Sequence, residues 1–287
     1  MSSCDSCNSK AGCPSAAAGQ GCSTGSTQTR PSFDELHTLA SVRACFGICS
    51  GKGGVGKSLV TSLLAVELAK KGLTVGILDA DITGPSIPKA FGLRGQLSGQ
   101  EDGIFPAQTE LGIQVVSINL LLENPEAPVL WRGPVISGVV RQFWKDVIWD
   151  GLDVLLIDMP PGTGDVPLTI FQSIPLDGIF VVSTPQDLVS MIVRKARNMA
   201  LMMNVKVLGF VENMSAVVCP GCDEPFELFG PGHTREAAEE MNVPLLDRLV
   251  IDPELAQLCD HGHIENYGKP MLGGTITAIE SILAGKP

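Results

Sequence analysis

Ala44-Cys45-Phe46-Gly47-Ile48-Cys49-Ser50-Gly51-Lys52-Gly53-Gly54-Val55-Gly56-Lys57-Ser58 is the stretch that decides the fold. Its first six residues read as a buried strand that runs into a glycine-rich turn. Gly51, Lys52, Gly53, Gly54, Val55, Gly56, Lys57 and Ser58 then fit the pattern G-x-x-x-x-G-K-S/T. Glycines let the backbone wrap closely round a polyphosphate with its N–H groups turned inward. Downstream, Val60, Leu63, Leu64 and Leu68 recur at three-to-four spacing and predict a helix over 58–71, with Lys70 and Lys71 in its last turn and Gly72 to end it. That helix turns the positive end of its dipole toward the same anion. Between a strand and a helix, Lys57 is expected to pair with the β- and γ-phosphates and the Ser58 hydroxyl to ligate Mg²⁺.

Outward from this loop the chain alternates strand and helix. A second strand over 74–78 ends at Asp79, and further strands are expected over 114–118, 153–157, 178–182, 206–211 and 245–250. Helices are expected over 134–145, 166–173, 186–203, 233–241, 253–259 and 274–284, the third of these started by Thr184 as cap, Pro185 at the first position and Asp187 three residues after the cap. Strands apolar on both faces that alternate with helices imply an α/β fold, a mostly parallel sheet covered by helices on both sides. Residues 36–287 are expected to form this single domain. Residues 1–35, rich in Ser, Gly, Ala and Cys and without apolar period, are expected to be a flexible cysteine-bearing tail.

The 287 residues are 44% hydrophobic, with a mean hydropathy of +0.24, which excludes global disorder. Lys and Arg number 20 against 31 Asp and Glu, a net charge of −11 that opposes nucleic acid and anionic membranes as partners. No apolar run approaches the roughly 18 residues of a spanning helix, and the N-terminus lacks a secretory pattern, so a cytoplasmic location is expected.

Two groups of carboxylates bear on a nucleotide. Val154-Leu155-Leu156-Ile157-Asp158 is an apolar strand with an acid at its carboxyl end, where parallel sheets present ligand-binding groups, and Asp158 there can hold Mg²⁺ through its water shell. Pro160-Pro161-Gly162-Thr163-Gly164-Asp165 follows it as a candidate nucleotide-sensing switch. Asp79 and Asp81 project to one side of an extended segment, a concentration of negative charge that calls for a cation or a positioned water.

Nine cysteines in a chain without an export pattern point to metal or redox chemistry rather than to disulfides. Cys219-Pro220-Gly221-Cys222 admits three readings: a redox dithiol, half a zinc knuckle, or half an iron–sulfur site. A redox dithiol should open a helix, whereas this pair lies in a loop between Val217-Val218 and Pro225-Phe226. Four thiolates complete a Cys₄ zinc or a cluster site. The globular part offers only Cys45, Cys49 and Cys259 besides, the first two as core strand residues. A twofold dimer supplies the count, because two copies of Cys219 and Cys222 make four ligands.

With Lys52 inside its phosphate loop, the sequence resembles the deviant Walker A ATPases typified by MinD, ParA and the nitrogenase iron protein. That resemblance implies a homodimer in which Lys52 reaches the partner's nucleotide and acts with Lys57. It also implies that Asp79 belongs to the Mg²⁺ shell, that Asp81 orients the attacking water and that Asn213 reads adenine. Leu59 departs from the group, standing where a threonine hydroxyl is usual near the α-phosphate. Taken together, Ser50–Ser58, LDADITGPSIP at 78–88, WRGPVISG at 131–138, LIDMPPGTGD at 156–165, FVENMS at 210–215 and Cys219–Cys222 resemble the Mrp/ApbC family of iron–sulfur carrier ATPases, with Thr83 in place of a common tyrosine. This resemblance implies a slow ATPase, a 4Fe–4S cluster bridging the dimer at Cys219 and Cys222, and delivery to apo iron–sulfur proteins. Cys4, Cys7 and Cys13 are similar to three cysteines of an N-terminal motif in the eukaryotic scaffolds, and Cys22 can supply a fourth ligand of a second metal site.

Two rival functions stay open at this level: a positioning switch of the MinD or ParA kind, and an ATPase whose Cys219 and Cys222 bind structural zinc. The first fits poorly, because the last fifteen residues carry a single lysine, Lys286, instead of a basic amphipathic helix. His233, His261 and His263 read as surface or satisfied core residues. Arg194, Lys195 and Arg197 read as a solvated face open to an acidic client, and Met199, Met202 and Met203 as helix packing.

Overall fold

The computed structural model describes residues 33–286, apart from 82, 83, 85, 96, 101, 102, 122–132, 187, 188, 220, 223 and 231. Cys4, Cys7, Cys13 and Cys22, and with them Thr83 and Asp187, lie outside the described residues. From the N-terminal side the elements are β1 (Val42–Ser50), α1 (Lys57–Lys70), β2 (Val75–Asp79), α2 (Ile87–Ala90), β3 (Ser98–Gln100), β4 (Gly103–Phe105), β5 (Ala107–Gln108) and β6 (Gln114–Ser117). There follow α3 (Gly133–Lys145), β7 (Leu152–Asp158), α4 (Asp165–Ser173), β8 (Gly178–Ser183), α5 (Val189–Met202) and β9 (Val207–Glu212). The chain ends with β10 (Val217–Val218), β11 (Pro225–Phe226), α6 (Thr234–Glu240), β12 (Leu245–Arg248), α7 (Pro253–His261) and α8 (Gly273–Ala284).

Eight strands form one sheet in the order β12-β9-β8-β1-β7-β2-β6-β5, parallel except for β5 at its edge, as the α/β reading expected. Alternation along β1 splits the core in two. Ala44, Phe46 and Ile48 face a layer built from α1, α2, α7 and α8, while Cys45 and Cys49 face one built from α3, α4, α5 and α6. Burying a side chain of this size contributes about 2 kcal/mol, so a strand covered on both faces is worth more than one with a wet face. Burial also pushes the Cys49 thiol up to about 12 and raises that of Cys45, which removes both from any thiolate chemistry. Parallel strands bring the C-terminal ends of β1, β2, β7, β8 and β9 to one edge of the sheet, and the functional residues gather there.

The Thr184 hydroxyl, expected to cap α5, is buried without a hydrogen-bond partner among the described residues, and residues 187 and 188 at the start of that helix lie outside them. Two expectations need correction. Met202 is not helix packing, since it is 85% exposed, although Met199 and Met203 do lie against the core. The short α2 and the small ribbons β3–β4 and β10–β11 were not expected, being too short to carry a period of either kind. The first described residues are tied down as well: Asp34 makes a two-pronged ion pair with Arg141 at 2.6 and 2.7 Å, and its carbonyl accepts from the Trp144 indole.

Candidate functional site

The loop after β1 leaves the sheet and re-enters it as α1 through Gly56, whose φ of 78° is in the left-handed region that favours glycine. A Cβ at Gly56 would also collide with the Asn213 amide nitrogen. No side chain caps α1, so its first backbone N–H groups remain open to an anion. Ser50 fixes the loop from below, its hydroxyl donating to the Lys52 carbonyl at 3.0 Å. The expected switch is anchored to the same strand end, because the Gly162 N–H donates to the Ser50 carbonyl at 2.9 Å.

Lys57 is the hub of the charged groups. Its ammonium lies 2.7 Å from Asp158 Oδ2 and 3.6 Å from Asp81 Oδ2, both lysine and Asp158 being buried. The Ser58 hydroxyl donates to the same Asp158 oxygen at 2.5 Å, and Thr61 donates to the other at 2.8 Å. Asp79 is the register partner of Asp158 on the neighbouring strand. It accepts from the Ser117 hydroxyl at 2.9 Å and from the Asp81 N–H at 3.2 Å. Burial first, then the adjacent Asp158, pushes the Asp79 carboxyl up to about 8, and Lys57 offsets only part of this. Three carboxylates thus share one buried ammonium. The Ser58, Asp79 and Asp158 oxygens form an all-oxygen donor set, the chemistry that suits a hard divalent cation.

The structure places Lys57, Ser58, Asp79, Asp81 and Asp158 together, and adds Thr61 and Ser117, which sequence reading overlooked. Both had a signal. Thr61 is four residues from Lys57 and so on the same helical face, and Ser117 ends a parallel strand on the edge where Asp79 and Asp158 end theirs. Lys52 turns outward, donating to Gln186 Oε1 at 2.5 Å in the same chain. Asn213 is buried behind the loop, where its Nδ2 donates to the Val55 carbonyl at 2.9 Å and its Oδ1 accepts from the Met214 N–H. One amide N–H and one acceptor lone pair remain for a further ligand. Leu59 packs against the core at the edge of α1, beside a cavity of about 320 Å³ that Ser58, Ser62, Ala256 and Cys259 also line.

The second chemical feature stands on the antiparallel ribbon β10–β11, reached from the C-terminal end of β9 and therefore from the same edge of the sheet. Cys219 closes the ribbon, its N–H donating to the Glu224 carbonyl at 3.0 Å, and no helix follows it. Cys222 is exposed and Cys219 half-buried. The Gly221 backbone N–H, followed by the Cys222 thiol and backbone N–H, holds the Cys219 thiol below its ordinary value, which favours the thiolate that metals bind. Val218 and Phe226 on the ribbon, and Leu228 and Phe229 shortly after it in the chain, all expose apolar surface. Among the described residues no three His, Cys, Asp or Glu side chains converge as a complete metal site. Two of the histidines are otherwise engaged, His233 with Glu236 at 2.8 Å and His261 with the Gln257 carbonyl at 2.7 Å. Arg194 is likewise engaged, in an ion pair with Glu240 at 2.6 Å.

The chain is similar to known proteins. The iron-sulfur cluster carrier protein of Clostridium perfringens is 46% identical over 276 residues, 93% of this chain and 95% of that protein. The cytosolic Fe-S cluster assembly factor CFD1 of Chaetomium globosum is 39% identical over 86% of this chain and 88% of its own length. Among solved structures, a nucleotide-binding protein from Archaeoglobus fulgidus in complex with ADP superposes with a TM-score of 0.72 at 45% identity, over 79% of this chain and 90% of that one. MinD of Pyrococcus horikoshii, complexed with Mg-ADP, has the same fold at a TM-score of 0.55 and 21% identity, over 85% and 98% of the two chains. Residues 41–282 match the ParA family model described as NUBPL iron-transfer P-loop NTPase. The chain belongs to that family of iron-transfer P-loop NTPases.

Proposed function

We propose that this chain is an ATP-dependent iron–sulfur cluster carrier that works as a homodimer in the cytoplasm, holds a 4Fe–4S cluster as cargo and hands it to apo iron–sulfur proteins. One observation carries the reading: a phosphate loop backed by the buried Lys57–Asp158 pair and a Cys219–Cys222 dithiol at the surface stand on the same edge of one sheet, and the dithiol is two ligands short of a cluster site. A second copy supplies the missing thiols, and the apolar surface of Val218, Phe226, Leu228 and Phe229 gives the two hairpins something to bury against each other. The names of the Clostridium and Chaetomium relatives support the cargo and, for the second, the compartment.

In the nucleotide site, the loop amides and Lys57 receive the β- and γ-phosphates, which draws the ammonium away from Asp158. Ser58 and Asp158, with Asp79 behind them, hold Mg²⁺, which supplies charge neutralisation between the phosphates when bound. Asp81, 3.6 Å from the Lys57 ammonium, orients the attacking water. Asn213 uses its free amide N–H and lone pair on the adenine edge. Lys52 leaves Gln186 to reach the partner's nucleotide; one exposed hydrogen bond is worth about 1 kcal/mol, a small barrier beside a dimer interface. Hydrolysis is slow and serves to reset the dimer rather than to turn over substrate. Cys4, Cys7, Cys13 and Cys22 form a second metal site by the same thiolate chemistry.

The experiment is anaerobic purification and reconstitution with iron and sulfide, followed by metal assay, visible absorption and molecular mass. The expected result is a brown dimer with one cluster shared by two chains, lost in the Cys219→Ala/Cys222→Ala double variant while ATP binding persists. Zinc without iron, unchanged by reconstitution, would replace this reading with a structural metal.

A further inference from the structure

Between Asn213 on the phosphate loop and Cys219 on the hairpin lie only five residues, and this segment is laced to a second one. The Leu249 N–H donates to the Glu212 carbonyl at 2.8 Å, the Ser215 N–H to the Leu249 carbonyl at 2.8 Å and the Ile251 N–H to the Ala216 carbonyl at 2.8 Å. The outgoing arm of the hairpin is therefore zipped to residues 249–251 by backbone bonds. The return arm is held differently. Glu227, the residue after β11, accepts from Arg248 Nη2 at 3.1 Å, and Arg248 Nε donates at 2.7 Å to the Glu212 carboxylate. Glu212 is almost wholly buried, whereas Arg248 and Glu227 are about 40% exposed. A buried carboxylate fixes one end of a planar guanidinium, and the other end of the same rigid fork holds the hairpin.

We infer that Arg248 is a positioning residue which, through Glu212 and Glu227, makes the Cys219–Cys222 hairpin follow the state of the phosphate loop. The inference deepens the carrier reading and rests on it for its biological sense. Asn213 holds the Val55 carbonyl, so a loop that closes on a nucleotide moves Asn213 and, with it, the last residue of β9. Glu212 transmits that movement to both arms: through its carbonyl to the outgoing one, through its carboxylate and Arg248 to the return one. Met214, between them, is held at φ 58°, a left-handed conformation unusual for a side chain of its size, so the segment cannot absorb the movement by free rotation. A hairpin whose two arms move together changes its pose. If only the outgoing arm were driven, its two-pair ladder would fray instead.

The test is amide hydrogen exchange on the full chain, with and without Mg²⁺ and ATP, in the wild type and in Glu227→Ala, a half-exposed site whose carboxylate can be removed without unfolding the domain. In the wild type, nucleotide is expected to change exchange across residues 217–227 by about fivefold. In Glu227→Ala that change shrinks to within about twofold, while the loop over 51–58 is protected by nucleotide as before. Arg248→Lys, which offers a point charge in place of a fork, should lose the response too. A hairpin in Glu227→Ala that exchanges faster in both states but keeps the wild-type ratio would make the strap merely structural and overturn the inference. A wild-type hairpin indifferent to nucleotide would do the same. Failure of the carrier reading is read separately, from the absence of iron and sulfide in the reconstituted wild type, and leaves the exchange result standing.

Discussion

Asp158 ends β7 with no exposed surface and accepts from Lys57, Ser58 and Thr61, while Cys222 stands exposed on a ribbon of two residue pairs. The two halves of this molecule solve opposite problems. A phosphate cradle has to hold charge in a fixed geometry away from water, so it is built into the core and stores unfavourable electrostatics there until its ligand arrives. A cluster to be handed on must be reached by another protein, and the thiols proposed to hold it sit at the surface of the fold, where little of the folding energy depends on them. The first half should thus dominate stability and its pH dependence, and the second should dominate metal binding while leaving stability almost untouched.

The largest break in that contrast is Lys57→Ala. The variant leaves Asp158, Asp79 and Asp81 without their shared cation, and removing one partner of a buried ion pair costs about 3 kcal/mol or more. Urea unfolding of the nucleotide-free protein should show that loss, and nucleotide titration should show affinity reduced by about tenfold to a hundredfold for the missing charged contact. A stability change below about 1 kcal/mol would mean that the carboxylates were not relying on Lys57.

A smaller effect isolates a single group. Asp79 is held up to about 8 by burial and by Asp158, against an ordinary value of 3.8. The folded chain therefore keeps a proton there that the unfolded chain releases above about pH 4, so this group lowers stability as pH rises from about 4 to about 8. Asp79→Asn carries no charge at any pH and retains an acceptor for Ser117 or for the Asp81 N–H. Melting temperatures of the two nucleotide-free proteins should differ least near pH 4 and diverge in favour of the variant as pH rises to about 8, by on the order of 10 °C. Parallel curves would show that Asp79 is already ionised throughout.

What could be read from the sequence follows the same division. The strands and helices of the sheet, and the five polar residues around the phosphate loop, announce themselves through local pattern: apolar runs ending in an acid, a glycine loop, an i to i+4 face. The hairpin left only its flanking Val217-Val218 and Pro225-Phe226, enough for the ends and not for the ribbon. Contacts that join distant segments left nothing. Asn213 on the Val55 carbonyl, Lys52 on Gln186 and Arg248 between Glu212 and Glu227 are side-chain pairings set by the sheet order, and no period or spacing encodes them.

The smallest expected effect sharpens the contrast most. In metal-free protein the Cys219→Ala/Cys222→Ala variant removes two thiols that hold no core contact: Cys222 is exposed, and the bond closing the ribbon runs from the Cys219 backbone N–H, which alanine keeps. Unfolding free energy should change by no more than about 0.5 kcal/mol, and the melting temperature by no more than about 2 °C. The measurement is urea and thermal unfolding after chelation, on the same preparation that is tested for cluster uptake. A loss above about 1 kcal/mol would show that the thiols hold the hairpin together without metal, making them part of the scaffold instead of a cargo grip. A silent substitution that abolishes cluster uptake would show instead that the chain keeps its metal chemistry apart from its folding energy. That separation is what lets a carrier release its cargo without coming apart.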